Sequence, residues 1–160
     1  MDIRILNICE DDAEFLNRIM NDKNMLDALD EIPTQLNDWI DAISAWNCDP
    51  DEEDYIIFYG EIPIGWLGIN GLLSEDKTAY IKMIGLLSQY QNKGIGAYVI
   101  NQFLEILKSR GFVAVALYTN QNNCRAQNCY MKCGFKVKEE LTEKMANGNL
   151  AKRYKMEITF

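Results

Sequence analysis

The arrangement that most restricts this chain is an apolar run, Tyr80 to Leu87, joined through Gln91-Asn92-Lys93-Gly94-Ile95-Gly96 to a helical pattern from Ala97 to Leu107. A second apolar run, Val113 to Thr119, follows. Strand, turn, helix and strand at these lengths imply a right-handed crossover between parallel strands, and ligands of such units sit outside the carboxyl end of the first strand. Two glycines two positions apart let the backbone turn tightly. The first N–H groups of a helix have no intrahelical acceptor and lie at the positive end of its dipole. The turn therefore reads either as a bare loop that starts a helix or as a cradle for an anion such as a pyrophosphate.

Composition narrows the setting. A length of 160 residues, 48% of them hydrophobic, fits one domain over residues 1–160 with a substantial core. No apolar stretch has the length of a membrane span, and Met1-Asp2-Ile3-Arg4 has neither a basic region nor an apolar segment of a signal peptide, so a soluble, cytoplasmic protein without a membrane partner is expected. The net charge of -8 disfavours nucleic acid and mildly favours cationic small molecules or peptides, or serves solubility alone. Cys9, Cys48, Cys124, Cys129 and Cys133 are odd in number and lack C-x-x-C spacing, which argues for free thiols. With no histidine, a metal site would need thiolates and carboxylates alone, and no metal is expected.

Along the chain, Ile3 to Ile8 read as a strand, and Glu10-Asp11-Asp12 open a helix bearing Phe15, Leu16 and Ile19. A polar joint at Asn21 to Asn24 interrupts that helix. After Pro33, Thr34 is placed to cap a second helix with Leu36, Trp39, Ile40 and Ile43 on one side. The acidic run Asp49 to Asp54 reads as a solvated loop, with cation binding as its other reading. Tyr55 to Tyr59 and Ile62 to Ile69 form a hairpin around Gly60-Glu61, and Gly85 suggests a bulge in the strand Thr78 to Leu87. A short helix from Asn123 to Cys133 and a final hairpin, Phe135 to Leu141 and Leu150 to Thr159, complete the pattern. Tyr154, Met156 and Ile158 suit a core or a partner surface equally.

The stretch Asn123 to Phe135 has the form N-x-x-A-x-x-x-Y-x-K-x-G-F, and it follows Q-x-x-G-x-G at Gln91 to Gly96. In order and spacing the two motifs resemble the GNAT superfamily of acetyl-CoA-dependent N-acetyltransferases, and the likeness extends over nearly the whole chain. It implies a mixed α/β fold: a mostly antiparallel sheet, splayed at a central parallel pair, Thr78 to Leu87 and Val113 to Thr119, and flanked by helices. It implies acetyl-CoA as co-substrate, a primary amine as acceptor, direct attack of that amine, and a homodimer as the family-weighted assembly.

Residue by residue, the resemblance puts the pyrophosphate on the N–H groups of Gln91, Asn92, Lys93, Gly94, Ile95 and Gly96. The pantetheine arm falls on the backbone of Leu86 and Leu87, and a further hydrogen bond to the arm falls on Asn123, which also suits an N-cap. Tyr130 matches the general acid beside the CoA sulfur. A phenol, of ordinary pKa about 10, gives its proton uphill to a thiolate of about 8.5 unless positioned, and otherwise only hydrogen-bonds the sulfur.

Two departures from the family pattern stand out. The strand before the turn carries Lys82 where relatives often place a catalytic acid, leaving Glu61, Glu75, Asp76 or an acid of the Asp49 to Asp54 run as candidate bases. Gln91 stands where arginine is commoner, with Lys93 as the compensating charge. The missing acid also keeps open a catalytically inactive CoA-binding regulatory module. The acceptor stays open between a small cationic amine, such as a polyamine or aminoglycoside, and a protein N-terminus.

Overall fold

The computed structural model describes all residues, Met1–Phe160. Its strands are β1 (Ile3–Asn7), β2 (Glu53–Tyr59), β3 (Ile62–Asn70), β4 (Thr78–Leu86), β5 (Ala114–Asn120), β6 (Lys136–Lys144) and β7 (Leu150–Thr159). They form one sheet in the order β1-β2-β3-β4-β5-β7-β6. Its helices are α1 (Ala13–Met20), α2 (Lys23–Leu29), α3 (Leu36–Cys48), α4 (Ile95–Ser109) and α5 (Cys124–Lys132). Only β4 and β5 pair in parallel, as the crossover through α4 requires.

That pairing is short. It joins Thr78, Ala79 and Tyr80 to Ala114, Val115 and Ala116 and then stops, so the β4 edge facing β5 has no strand partner from Ile81 to Leu86. The expected bulge lies elsewhere than Gly85, which pairs in regular register with Trp66. Gly68 faces Met83 while Ile69 faces Ile81, so the extra residue is Lys82. A bulge adds local twist, which turns the second half of β4 away from β5. Gly85 instead makes room: a β-carbon there would meet the Met83 and Met25 methyl groups at 2.9 and 3.2 Å.

Apolar side chains form a core on each face. One holds Val99, Ile100, Phe103 and Leu107 of α4 against the sheet, and it includes Met156, with Tyr154 and Ile158 packed beside it. The last strand thus spends these residues on the core rather than on a partner surface. The other core joins Leu16 and Ile19 of α1 and Ile43 of α3 to Ile56 and Trp66. The edge strand β6 carries Lys136, Lys138, Glu139, Glu140, Glu143 and Lys144, charges that disfavour edge-to-edge pairing.

Two local features between α1 and α3 differ from the sequence reading. A further helix, α2, begins inside the polar joint and is capped by Asp22, whose carboxylate accepts from the Asn24 and Met25 N–H groups. The cap residue of α3 is Gln35 rather than Thr34, because Asn21 clamps Thr34 through both of its backbone groups. After α2, Asp30 adopts a left-handed conformation, and its carboxylate accepts from the side-chain amides of Asn120, Asn147 and Asn149. These bonds tie the end of α2 to β5 and to the tip of the β6–β7 hairpin.

Candidate active site

A cavity of about 1300 Å³ passes through the gap between β4 and β5. One half is lined by Gln91, Gly94, Gly96, Asn123 and Tyr130, and the other by Trp39, Trp46, Trp66 and the region following α2. The short parallel pairing is therefore what creates the site.

At the first half, Gly94 has φ of +80° and Asn92 of +59°, a pattern that turns the chain into α4. No backbone N–H from Asn92 through Ala97 donates to a main-chain acceptor. Such a row of free donors at a helix start is an anion site. The predicted row shifts by one residue, since the Gln91 N–H already donates to the Ser88 carbonyl at 3.2 Å. Gly96 serves a different need: a β-carbon there would touch the Cys129 sulfur at 3.4 Å, so glycine lets α5 close against α4.

The side chains divide similarly. Leu86, Gln91, Asn92, Gly94, Gly96, Asn123 and Tyr130 line the cavity, whereas Leu87, Lys93 and Ile95 do not. Both Leu87 backbone groups have partners, the Ile64 carbonyl and the Tyr90 N–H. Ile95 is core, and Lys93 is exposed on the surface. A guanidinium reaches the turn from α5: Arg125 is held against the Gln91 side-chain oxygen, while the Gln91 amide donates to the Leu86 carbonyl at 2.9 Å. Sequence reading passed over Arg125 because it lies 34 positions from Gln91. Arg125→Ala is expected to weaken CoA binding about fivefold to tenfold and to flatten its salt dependence, measured by calorimetry at two ionic strengths.

Asn123 caps α5 by accepting the Ala126 N–H, leaving its amide free toward the cavity. Tyr130, two turns further, packs on Phe135 with ring centroids 6.1 Å apart. Burial first, and then the neighbouring Cys129 and Cys133, push its phenol above the ordinary range, so it stays protonated well above neutral pH.

The acidic run is not a solvated loop. Asp51 accepts the Leu73 N–H, Glu53 forms a paired contact with Arg110, and Glu52 and Asp54 bind the Lys82 ammonium at 2.5 and 3.2 Å. Lys82 also lies over the faces of Trp46 and Trp66, 3.9 and 5.3 Å from their centroids. Gly68 makes this possible, as a β-carbon there would stand 2.6 Å from Asp54 Oδ1 and 2.8 Å from Lys82 Cε. Asp54 is buried, accepts the Trp66 indole N–H at 2.9 Å, and leaves Oδ2 without a partner.

Burial and the adjacent Glu52 raise the Asp54 carboxyl to about 7, against the opposing pull of Lys82 and Trp66. Its proton is thus held more tightly in the folded protein than in the unfolded chain. The associated stability is complete below the ordinary carboxylate range and is lost as pH rises through about 7. The melting temperature is expected to fall by several degrees between pH 5 and pH 8, and Asp54→Asn, whose amide oxygen still accepts from Trp66, is expected to flatten that slope in thermal melts.

Of the candidate bases, Glu61 pairs with Arg4 in solvent, and Glu75 and Asp76 are exposed away from the cavity. The carboxylates on the cavity wall are Glu31, Glu52 and Glu143. Glu52 is bound to Lys82, and Glu143 pairs with Arg153 at 2.8 Å. Glu31 has no ion-pair partner within bridging distance, and desolvation raises its carboxyl against the pull of the Ile32 N–H and Arg153.

Comparison with known proteins agrees with this layout. The profile of the acetyltransferase (GNAT) family matches residues 16–135. The chain belongs to that family. It is 31% identical over 75 residues to N-alpha-acetyltransferase 30 of Schizosaccharomyces pombe, a match covering 47% of this chain. The chain spans about half, 50%, of the length of that curated relative. In fold it resembles the spermidine N-acetyltransferase of Vibrio cholerae, solved with CoA and spermine, with a TM-score of 0.88 at 19% identity over 99% of this chain and 95% of that one. It also resembles the RimL ribosomal L7/L12 alpha-N-protein acetyltransferase, solved with CoA, with a TM-score of 0.88 at 15% identity over 100% and 95% of the two chains.

Proposed function

We propose that this protein transfers the acetyl group of acetyl-CoA to a primary amine by direct attack. The observation that carries the reading is one continuous channel with free helix-start N–H groups at one end, an unpaired carboxylate at the other and a protonated phenol on its wall. The N–H groups of Asn92 to Ala97, with Arg125, bind the pyrophosphate. Leu86 and Asn123 guide the pantetheine arm toward the β4–β5 gap.

There the amine enters from the α2 side, loses a proton to Glu31 directly or through water, and attacks the thioester carbonyl. The resulting oxyanion is stabilised by N–H groups on the unpaired edge of β4. As the intermediate collapses, the C–S bond breaks, Tyr130 gives its proton to the departing thiolate, and the second proton lost by the acetylated nitrogen restores the phenol. Tyr130 is positioned for this by α5, whose approach to α4 depends on Gly96.

Glu31 on the cavity wall offers an acid in place of the one absent from β4, which favours catalysis over an inactive CoA-binding module. The homodimer implied by the family resemblance belongs to the same proposal, with the β7 residues suggested for it reassigned to the core. Following CoA thiol release with a panel of amines tests the activity; release dependent on amine is expected.

A further inference from the structure

The acceptor half of the channel is chemically unlike a polycation site. Its walls are Trp39, Trp46, Trp66, Met20, Met25 and Met83, with Trp46 and Trp66 stacked at 5.2 Å and Trp39 set edge-on to Trp66 at 6.0 Å. A protein of net charge -8 would be expected to draw cations here, yet the nearby acids are already used. Lys82 occupies Glu52 and Asp54 and covers the indole faces, so the charge and the π-surface that would hold a second ammonium are taken. With Lys82 paired to both acids, this stretch of wall has no uncompensated carboxylate with which to draw a second cation. Arg153 likewise neutralises Glu143, leaving Glu31 to face one incoming ammonium.

Resting on the acetyltransferase reading, we infer that the acceptor is a primary monoamine bearing an aromatic or similarly bulky apolar group, and that Lys82 is the residue that excludes diamines and polyamines. The single amine is met by Glu31 while its apolar portion lies among the indoles and thioethers. The Trp39 indole N–H, buried and without an acceptor, is available to a carbonyl on such a molecule. A free arylalkylamine and the N-terminus of a peptide with a large apolar first residue present this same chemistry.

The test is kcat/KM of the full chain with acetyl-CoA and phenethylamine, a short peptide beginning with phenylalanine, putrescine or spermidine. Phenethylamine or the peptide is expected to exceed both polycations at least about tenfold, and whichever is higher identifies the source. Lys82→Met, checked by thermal melt, is expected to narrow that ratio about tenfold by freeing Glu52 on the cavity wall. Trp46→Ala gives an independent readout, a larger loss with phenethylamine than with ethylamine. Equal or better use of putrescine or spermidine by the unaltered protein overturns the inference alone, as does a ratio unmoved in a folded Lys82→Met variant. Acetylation of no amine overturns the acetyltransferase reading as well.

Discussion

Replacing Gly94 by valine is expected to lower the affinity for CoA at least about tenfold in calorimetry, with a smaller loss of thermal stability. The reason is conformational. Gly94 has φ of +80°, where a β-branched residue is a severe outlier, yet an added β-carbon would meet no atom within 4 Å. The chain would escape the strain by rotating the turn, and that rotation redirects the N–H groups of Asn92 to Ala97. Gly94→Asn separates strain from bulk. Asparagine tolerates the left-handed region, as Asn92 does two positions earlier at +59°, so this variant is expected to keep most of the affinity. Equal weakening by both substitutions would contradict the account.

The other large effect is expected at Tyr130. Its change to phenylalanine should reduce kcat by about 100-fold, within the range for loss of a positioned acid, and leave KM for acetyl-CoA within about twofold. The ring remains to pack on Phe135, so folding is expected to persist. Because burial keeps the phenol protonated well above neutral pH, ionisation of Tyr130 should produce no alkaline decline near neutrality. A variant with unchanged turnover and pH profile would remove Tyr130 from the chemistry.

The donor half of the site was legible because its signals are local. Gly94 and Gly96 mark a turn at a helix start, and Asn123 through Gly134 mark a capped helix with a glycine stop. Each of these depends on residues a few positions apart. The crossover likewise follows from the succession of periods, so β4, α4 and β5 could be placed without contacts.

The acceptor half depends on long-range pairing, which periodicity does not carry. Asp49 to Asp54 look solvated as a run of like charges, but Lys82, 30 positions from Glu52, draws part of that run inward. Gly68 gave little local warning. It has no left-handed conformation, and its need for glycine comes from the approach of Asp54 and Lys82 across the sheet. Arg125 was similarly hidden, since only folding brings it to Gln91. Glu31 escaped notice because its place on the wall depends on the distant asparagines that hold Asp30.

The bulge shows the same limit. A glycine in a strand correctly signalled crowding at Gly85, but the extra residue is Lys82, whose side chain must reach the acids on β2 and the segment before it. The feature that splits β4 from β5 and the feature that neutralises the acceptor wall are therefore the same residue.

The central claim is tested most directly by mass spectrometry of the amine panel incubated with the protein and acetyl-CoA, with CoA thiol measured in the same samples. The account predicts one acetyl group gained per acetylated amine and one CoA released for each. Tight CoA binding with no acetyl group on any amine would contradict it.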